Sequence, residues 1–268
     1  RAPRPVPATA GLTAGVQRDV VVVPFNDLDA LERALRGDDV AAFIVEPVME
    51  NIGICLPEPG YLQAVRALTA RHGTLLIFDE VKTGITAGWS GAVGHFGVEP
   101  DLVALAKSIG GGLPVGAFGG RREVMDVITD GRVLHLGTYN GNPLVMAGTK
   151  AVLAEICTPE ATAAAIARNR RLLDRCDDVL RAGGLPAHTV QFGAKGCITY
   201  SAERVRNYRD YKATEADLAF ASWIWGINRG VLLPPGLDEQ WLVSVQHTDA
   251  DIDHLVDVLA SFVDALTR

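Results

Sequence analysis

Two charged residues stand where an amine and a carboxylate could share one reaction centre. Asp79 closes the apolar run Leu75-Leu76-Ile77-Phe78, and Lys107 closes Leu102-Val103-Ala104-Leu105-Ala106, 28 residues later. Short continuous apolar runs bounded by turn residues are the pattern of strands in a parallel sheet. Ligands of such sheets bind outside the carboxyl ends of the strands. The spacing therefore predicts both side chains at one rim of one sheet, facing a cleft. A desolvated lysine, or one beside other positive groups, loses proton affinity and becomes a nucleophile toward a carbonyl carbon. Taken alone, Lys107 is as well explained as a surface cation or an ion-pair partner. With Asp79 across the cleft, the pair suits an aldehyde cofactor: the lysine forms an imine, and the carboxylate holds a protonated pyridine nitrogen that makes the ring an electron sink. A plain Asp–Lys ion pair is the competing reading. The segment Gly137-Thr138-Tyr139-Asn140-Gly141-Asn142-Pro143 weighs against it. It offers a hydroxyl and pliable backbone just before a helix starting near Leu144, which suits a phosphate.

The elements that must position these residues follow from periodicity. Strands are expected over 19–23, 41–45 (leading into Glu46-Pro47), 75–79, 102–106 and 115–119. Helices are expected over 28–35 (Asp27 as N-cap, Gly37 as stop), 60–72 (ended by Gly73), 121–128, 144–156 and 159–182. Residues 50–59 and 135–143 read as loops, and 82–98 as a long irregular stretch. Alternating strands and helices at this spacing argue for an α/β domain with a mostly parallel sheet over residues 1–184. After Gly183-Gly184 the texture changes. Paired strands over 189–192 and 197–200, a helix over 215–226, short strands over 231–233 and 241–245, and an amphipathic helix over 249–266 predict a smaller α+β domain, 185–268.

Composition narrows the function classes. The 268 residues carry a net charge of −7, with hydrophobic content of 48% and charged content of 21%, as in ordinary globular enzymes. The acidic balance, with no Lys/Arg cluster interleaved with aromatics, disfavours nucleic acid as the main partner. No apolar run approaches the ~18 residues of a membrane span. Cys55, Cys157, Cys176 and Cys197 lack Cys-x-x-Cys spacing and read as reduced thiols of a cytoplasmic protein. The histidines show no metal-ligand spacing, so no metal is expected. Gly110-Gly111-Gly112 lacks the Gly-x-Gly-x-x-Gly pattern of a dinucleotide loop and reads as a turn leaving the strand close to a ligand. Trp223 and Trp225 read as core packing, and Trp89 as a residue that could line the pocket. The opening RAPRPVPATAGLTAG begins with Arg and has the character of a surface loop from within a longer chain.

The string Phe78-Asp79-Glu80-Val81, then Lys107 with Gly110 to Ala117, then Gly137-Thr138 with Gly141-Asn142-Pro143, closely resembles the class III aminotransferases. Pro24-Phe25-Asn26-Asp27 and Glu46-Pro47-Val48 add to the match. These are fold-type-I enzymes that use pyridoxal 5'-phosphate. Within the class, Arg121-Arg122-Glu123 and His247-Thr248 followed by Asp249 to Ile252 give the chain the flavour of the glutamate-1-semialdehyde 2,1-aminomutase group. The resemblance implies an α/β fold with a mostly parallel sheet, helices on both faces and a small C-terminal α+β domain. It implies a homodimer with a shared active site acting on a small amino or oxo substrate. Lys107 would be the cofactor-binding lysine and proton carrier, and Asp79 the partner of the pyridine nitrogen. Val81 would pack on one ring face, and Thr138 would reach the phosphate held by the neighbouring subunit. Glu46 and Glu239 would stand on the substrate side. Position 82 is Lys where many members carry Gln. Residues 232–247 contain no arginine, where many ω-amino-acid aminotransferases use one to clamp a carboxylate. That keeps open amination of an aminosugar or another secondary-metabolite aldehyde or ketone. The family's N-terminal third, with its phosphate turn and a stacking aromatic, has no counterpart in these residues, which also keeps open a non-catalytic relative serving as a dimer partner.

Overall fold

The computed structural model describes residues 3, 5–234 and 240–267. In chain order the first elements are α1 (Ala14–Arg18), α2 (Leu28–Leu35), β1 (Ala42–Val45), α3 (Tyr61–Arg71) and β2 (Leu75–Asp79). Next come α4 (Gly84–Ala87), α5 (Gly91–Phe96), β3 (Leu102–Ala106), a 3₁₀ turn Lys107–Gly110, β4 (Gly116–Gly120), α6 (Arg122–Thr129) and α7 (Pro143–Ala151). A π-helical stretch, Val152–Ile156, leads to α8 (Pro159–Ala182), β5 (His188–Phe192), β6 (Lys195–Thr199), α9 (Tyr208–Tyr211), α10 (Ala216–Ile227), β7 (Trp241–Leu242) and α11 (Asp249–Thr267).

The first sheet has the order β1-β2-β3-β4. β1, β2 and β3 run parallel, and β4 returns antiparallel to β3. Along β2 burial alternates, with Leu76 and Phe78 wholly enclosed. They meet Leu31 and Leu35 of α2 and Tyr61, Leu62 and Val65 of α3 in one apolar cluster. Each such side chain contributes about 1.5–3 kcal/mol by leaving water, which is why α2 and α3 lie against this face. The other face is more open: Ile44 is 60% exposed and Phe118 49%.

The second sheet, β5-β6-β7, is antiparallel throughout. Its core joins Leu172, Leu173, Cys176 and Leu180 of α8 to Tyr200, Trp241 and the buried stripe of α11. The long helix before Gly183-Gly184 thus packs with the elements that follow it.

Local differences from the expected elements have physical causes. Residues 19–23 form no strand: Val20, Val21 and Val22 are exposed, so their β-branched character has no pleated partner to fit. The stretch 82–98 is more regular than expected, holding α4 and α5. Residues 231–233 form no strand. The predicted helix over 144–156 is α7 followed by the π-helical stretch.

Candidate active site

Register places the key residues on one rim. Val45 pairs with Phe78, and Asp79 pairs with Ala104, on parallel strands. Asp79 therefore ends β2, while Glu46 and Lys107 directly follow β1 and β3, all at the carboxyl ends. Asp79 is half-buried, and Val81 N–H donates to its Oδ1 at 3.0 Å, which orients the carboxylate. Lys107 is exposed and opens the 3₁₀ turn. Its φ of 51° lies in the left-handed region, uncommon for a residue with a Cβ. Strain of this kind, on the order of 1–3 kcal/mol, collects at functional sites. The turn continues through Gly111 at φ 57°, where an added Cβ would lie 2.4 Å from a Val152 methyl. Glycine is needed there because the turn presses on the next helix.

Strand alternation separates Asp79 from its neighbour. Glu80 is buried and accepts the Ala92 and Val93 N–H groups at 2.7 and 2.9 Å and the Thr83 hydroxyl at 3.0 Å. It serves the N-terminal turn of α5, satisfying donors that a helix start leaves open. Val81 is half-buried behind Asp79. Thr138 is exposed in the turn ahead of α7, whose first amides are capped by Asn142 Oδ1 at 3.1 and 3.3 Å. α7 packs against the 3₁₀ turn of Lys107, so the Gly137–Pro143 segment belongs to the same end of the molecule. Glu46 accepts from Glu50 N–H and Asn51 Nδ2 at 3.1 and 3.0 Å, which ties the loop after β1 together. Glu239 lies outside the described residues.

Sequence reasoning missed a buried charge cluster beside the rim. Glu50 is fully enclosed, and its Oε2 accepts from Lys195 Nζ at 2.6 Å. Lys82 points inward, donating to the Glu50 carbonyl at 2.5 Å, and Gln240 Nε2 donates to the same oxygen at 2.6 Å. Burial raises Glu50 above the ordinary glutamate range, opposed by the Lys195 charge. Burial likewise lowers Lys195, opposed by Glu50 and reinforced by the charges of Lys82 and Lys107. Glu50 fell in the expected loop 50–59 and Lys195 outside the expected strand 197–200, so neither stood out in the sequence.

Comparison with known proteins fits this geometry. Residues 6–186 match the family model described as aminotransferase class-III. The chain belongs to the class III aminotransferases. Among curated members of that group, it is 38% identical over 267 residues to glutamate-1-semialdehyde 2,1-aminomutase of Bacillus subtilis, covering 98% of this chain and 62% of that protein. It is 41% identical to the enzyme of the same name from Symbiobacterium thermophilum, covering 94% of this chain and 59% of that protein. This class III chain thus spans about three-fifths of the length of the curated relatives it matches. Among solved aminotransferase structures, an ω-transaminase from Sphaerobacter thermophilus superposes with a TM-score of 0.92 at 31% identity, covering 98% of this chain and 61% of that one. A glutamate-1-semialdehyde aminomutase variant from Pseudomonas aeruginosa, solved in complex with PMP, gives 0.83 at 30% identity, covering 91% and 56%. The shared fold is mixed α/β with a parallel-rich sheet. No described helix is long and apolar enough to cross a membrane. Among the described residues, no group of side chains is arranged to hold a metal ion.

Proposed function

We propose that this protein uses pyridoxal 5'-phosphate to move an amino group, with glutamate-1-semialdehyde aminomutase-like chemistry. The observation that carries the reading is the placement of Asp79 and Lys107 at the carboxyl ends of adjacent parallel strands. The residues present fit this cofactor: a carboxylate oriented by a backbone N–H, an exposed amine on a strained turn, and a half-buried valine two residues after the carboxylate. The cofactor supplies an aldehyde carbon and an electron-withdrawing ring. Asp79 would accept the hydrogen bond of the protonated ring nitrogen. Val81 would pack against one ring face. Lys107 Nζ would hold the cofactor covalently, and its free amine would move a proton at the substrate α-carbon. Thr138 reaches the phosphate held by a second copy in a homodimer. Glu46 and Glu239 stand on the side of a small amino or oxo substrate. In this reading residues 1–184 carry the cofactor and 185–268 form the smaller domain, in a cytoplasmic enzyme.

A related acceptor class is supported by the lack of arginine over 232–247: an aldehyde or ketone of an aminosugar or other secondary metabolite needs no second carboxylate clamp. The test is direct. The protein mixed with pyridoxal 5'-phosphate is expected to develop the absorption band of covalently held cofactor, and Lys107→Ala to lose both band and turnover. Turnover retained by that variant overturns the reading. Screening amine donors and acceptors, glutamate-1-semialdehyde and its diamino and dioxo relatives included, separates the substrate classes.

A further inference from the structure

The tip of the β5–β6 hairpin docks on the segment that follows β2. Ala194 N–H donates to the Thr86 carbonyl at 2.8 Å. Gly193 sits at φ 58°, and a Cβ there would lie 2.1 Å from the same carbonyl oxygen. The hairpin backbone is itself held from α8, where Asn169 Nδ2 donates to the carbonyls of Gly193 and Lys195 at 3.1 and 2.9 Å. From this fixed base Lys195 extends into the interior. Its Nζ donates to the Lys82 carbonyl and pairs with Glu50 at 2.6 Å.

A lysine 8% exposed and 113 residues from its backbone acceptor is an expensive way to hold a turn. Desolvating an ammonium costs several kcal/mol before its partners repay it, and an apolar side chain of similar length would fill the same volume at less cost. The cluster is also unfinished: Glu50 Oε1 is buried with no hydrogen-bond partner among the described residues. What an apolar residue could not do is fix the Lys82 carbonyl, three residues beyond Asp79 and next to Val81. The Lys107 charge is among those acting on Lys195, so the cluster stands at the candidate site and not remote from it.

We propose that Lys195 is a positioning residue for the cofactor site: by holding the Lys82 carbonyl against the hairpin, it sets the orientation of Asp79 and Val81. In part this rests on the cofactor reading above. The turn after β2 is then clamped from both sides. Glu80 secures it to α5, and Lys195 secures it to the second sheet. Val81, whose N–H orients the Asp79 carboxylate, lies between these anchors in the chain, and small displacements of such a group are costly to a cofactor enzyme.

Lys195→Met alone strands the Glu50 charge and could unfold the chain. The informative variant is therefore Glu50→Leu with Lys195→Met, which removes both charges. It leaves the side-chain bonds of Lys82 and Gln240 to the Glu50 carbonyl and the backbone bond of Ala194 to Thr86 in place. Amide hydrogen exchange of the cofactor-free protein is measured first. Exchange about tenfold or more faster at residues 80–83, with α3 and α11 unchanged, is expected. In the protein given pyridoxal 5'-phosphate, the circular dichroism of the cofactor band is expected to shrink and the cofactor dissociation constant to rise roughly tenfold or more. Exchange unchanged at 80–83, or raised equally in every segment, overturns the positioning role. An unchanged cofactor dichroism also overturns it. If the unmodified protein forms no cofactor band, the cofactor reading fails, while the exchange measurement still decides whether Lys195 holds the turn.

Discussion

At the scale of single residues, charge is placed where hydrogen bonds can answer it. Asp101 is 2% exposed, yet its carboxylate accepts from Leu76 N–H at 2.8 Å, Arg66 at 2.7 Å and Arg121 at 2.9 Å. Burial alone would raise its pKa, but the Leu76 amide and the two guanidinium groups win, and it is lowered. A carboxyl held below its unfolded value stabilises fully above that value, about 3.9 for Asp, and loses its contribution as the pH falls through the folded value. Asp101→Asn is expected to cost about 3 kcal/mol at neutral pH. Urea unfolding repeated at falling pH should show the gap to the unmodified protein narrowing below about pH 4. Asp79 and Lys107 were legible from sequence because each ends an apolar run. The left-handed backbone of Lys107 was not, since nothing in its side chain favours φ 51°. Surrounding packing has to impose that conformation. Glu50 and Lys195 were illegible for a related reason: 145 residues separate them, and only folding shows that they share one interior volume.

At the scale of elements, strand order does most of the positioning. Three parallel strands in sequence order put their carboxyl ends together, so the ends of three strands bring Glu46, Asp79 and Lys107 to one rim. β1, β2 and β3 were predictable as short continuous apolar runs, and α2, α3, α8 and α11 from helical periodicity and end signals, whereas the equally apolar runs 19–23 and 231–233 formed no strand. α4 and α5 were not, as six residues or fewer give no period. α5 depends instead on the Glu80 carboxylate at its start. The hairpin tip is the most demanding contact between elements. Gly193→Ala combines a positive φ with a Cβ directed at the Thr86 carbonyl. It should cost about 1–2 kcal/mol from the backbone conformation alone, and more from displacement of the hairpin. Thermal unfolding will register that loss. Amide exchange should show it largest at Thr86–Ala87 and Ala194.

At the scale of the molecule, two sheets with their own cores meet through a third apolar cluster, Val48, Ile54, Ala87 and Ala92 against Phe192 and Cys197, and through a few polar contacts. The Glu50–Lys195 pair is the most deeply buried of these ties. Lys195→Met or Glu50→Leu singly is expected to cost about 3–5 kcal/mol, because each leaves an unanswered charge inside. The double variant should recover most of that loss, as removing a whole buried pair is often neutral. Denaturant unfolding of the four proteins gives the coupling, and a double variant as unstable as the sum of the singles would count against this account. By itself, the sequence determined the α/β class, the family and the pair Asp79 and Lys107, because local apolar periods and residues at strand ends are written in consecutive positions. Tertiary structure alone decided that Lys82 turns inward, that α8 packs with the second sheet, and that Lys195 reaches the turn behind Asp79. Those facts depend on distances between residues far apart in the chain, and such distances exist only once the two sheets have packed.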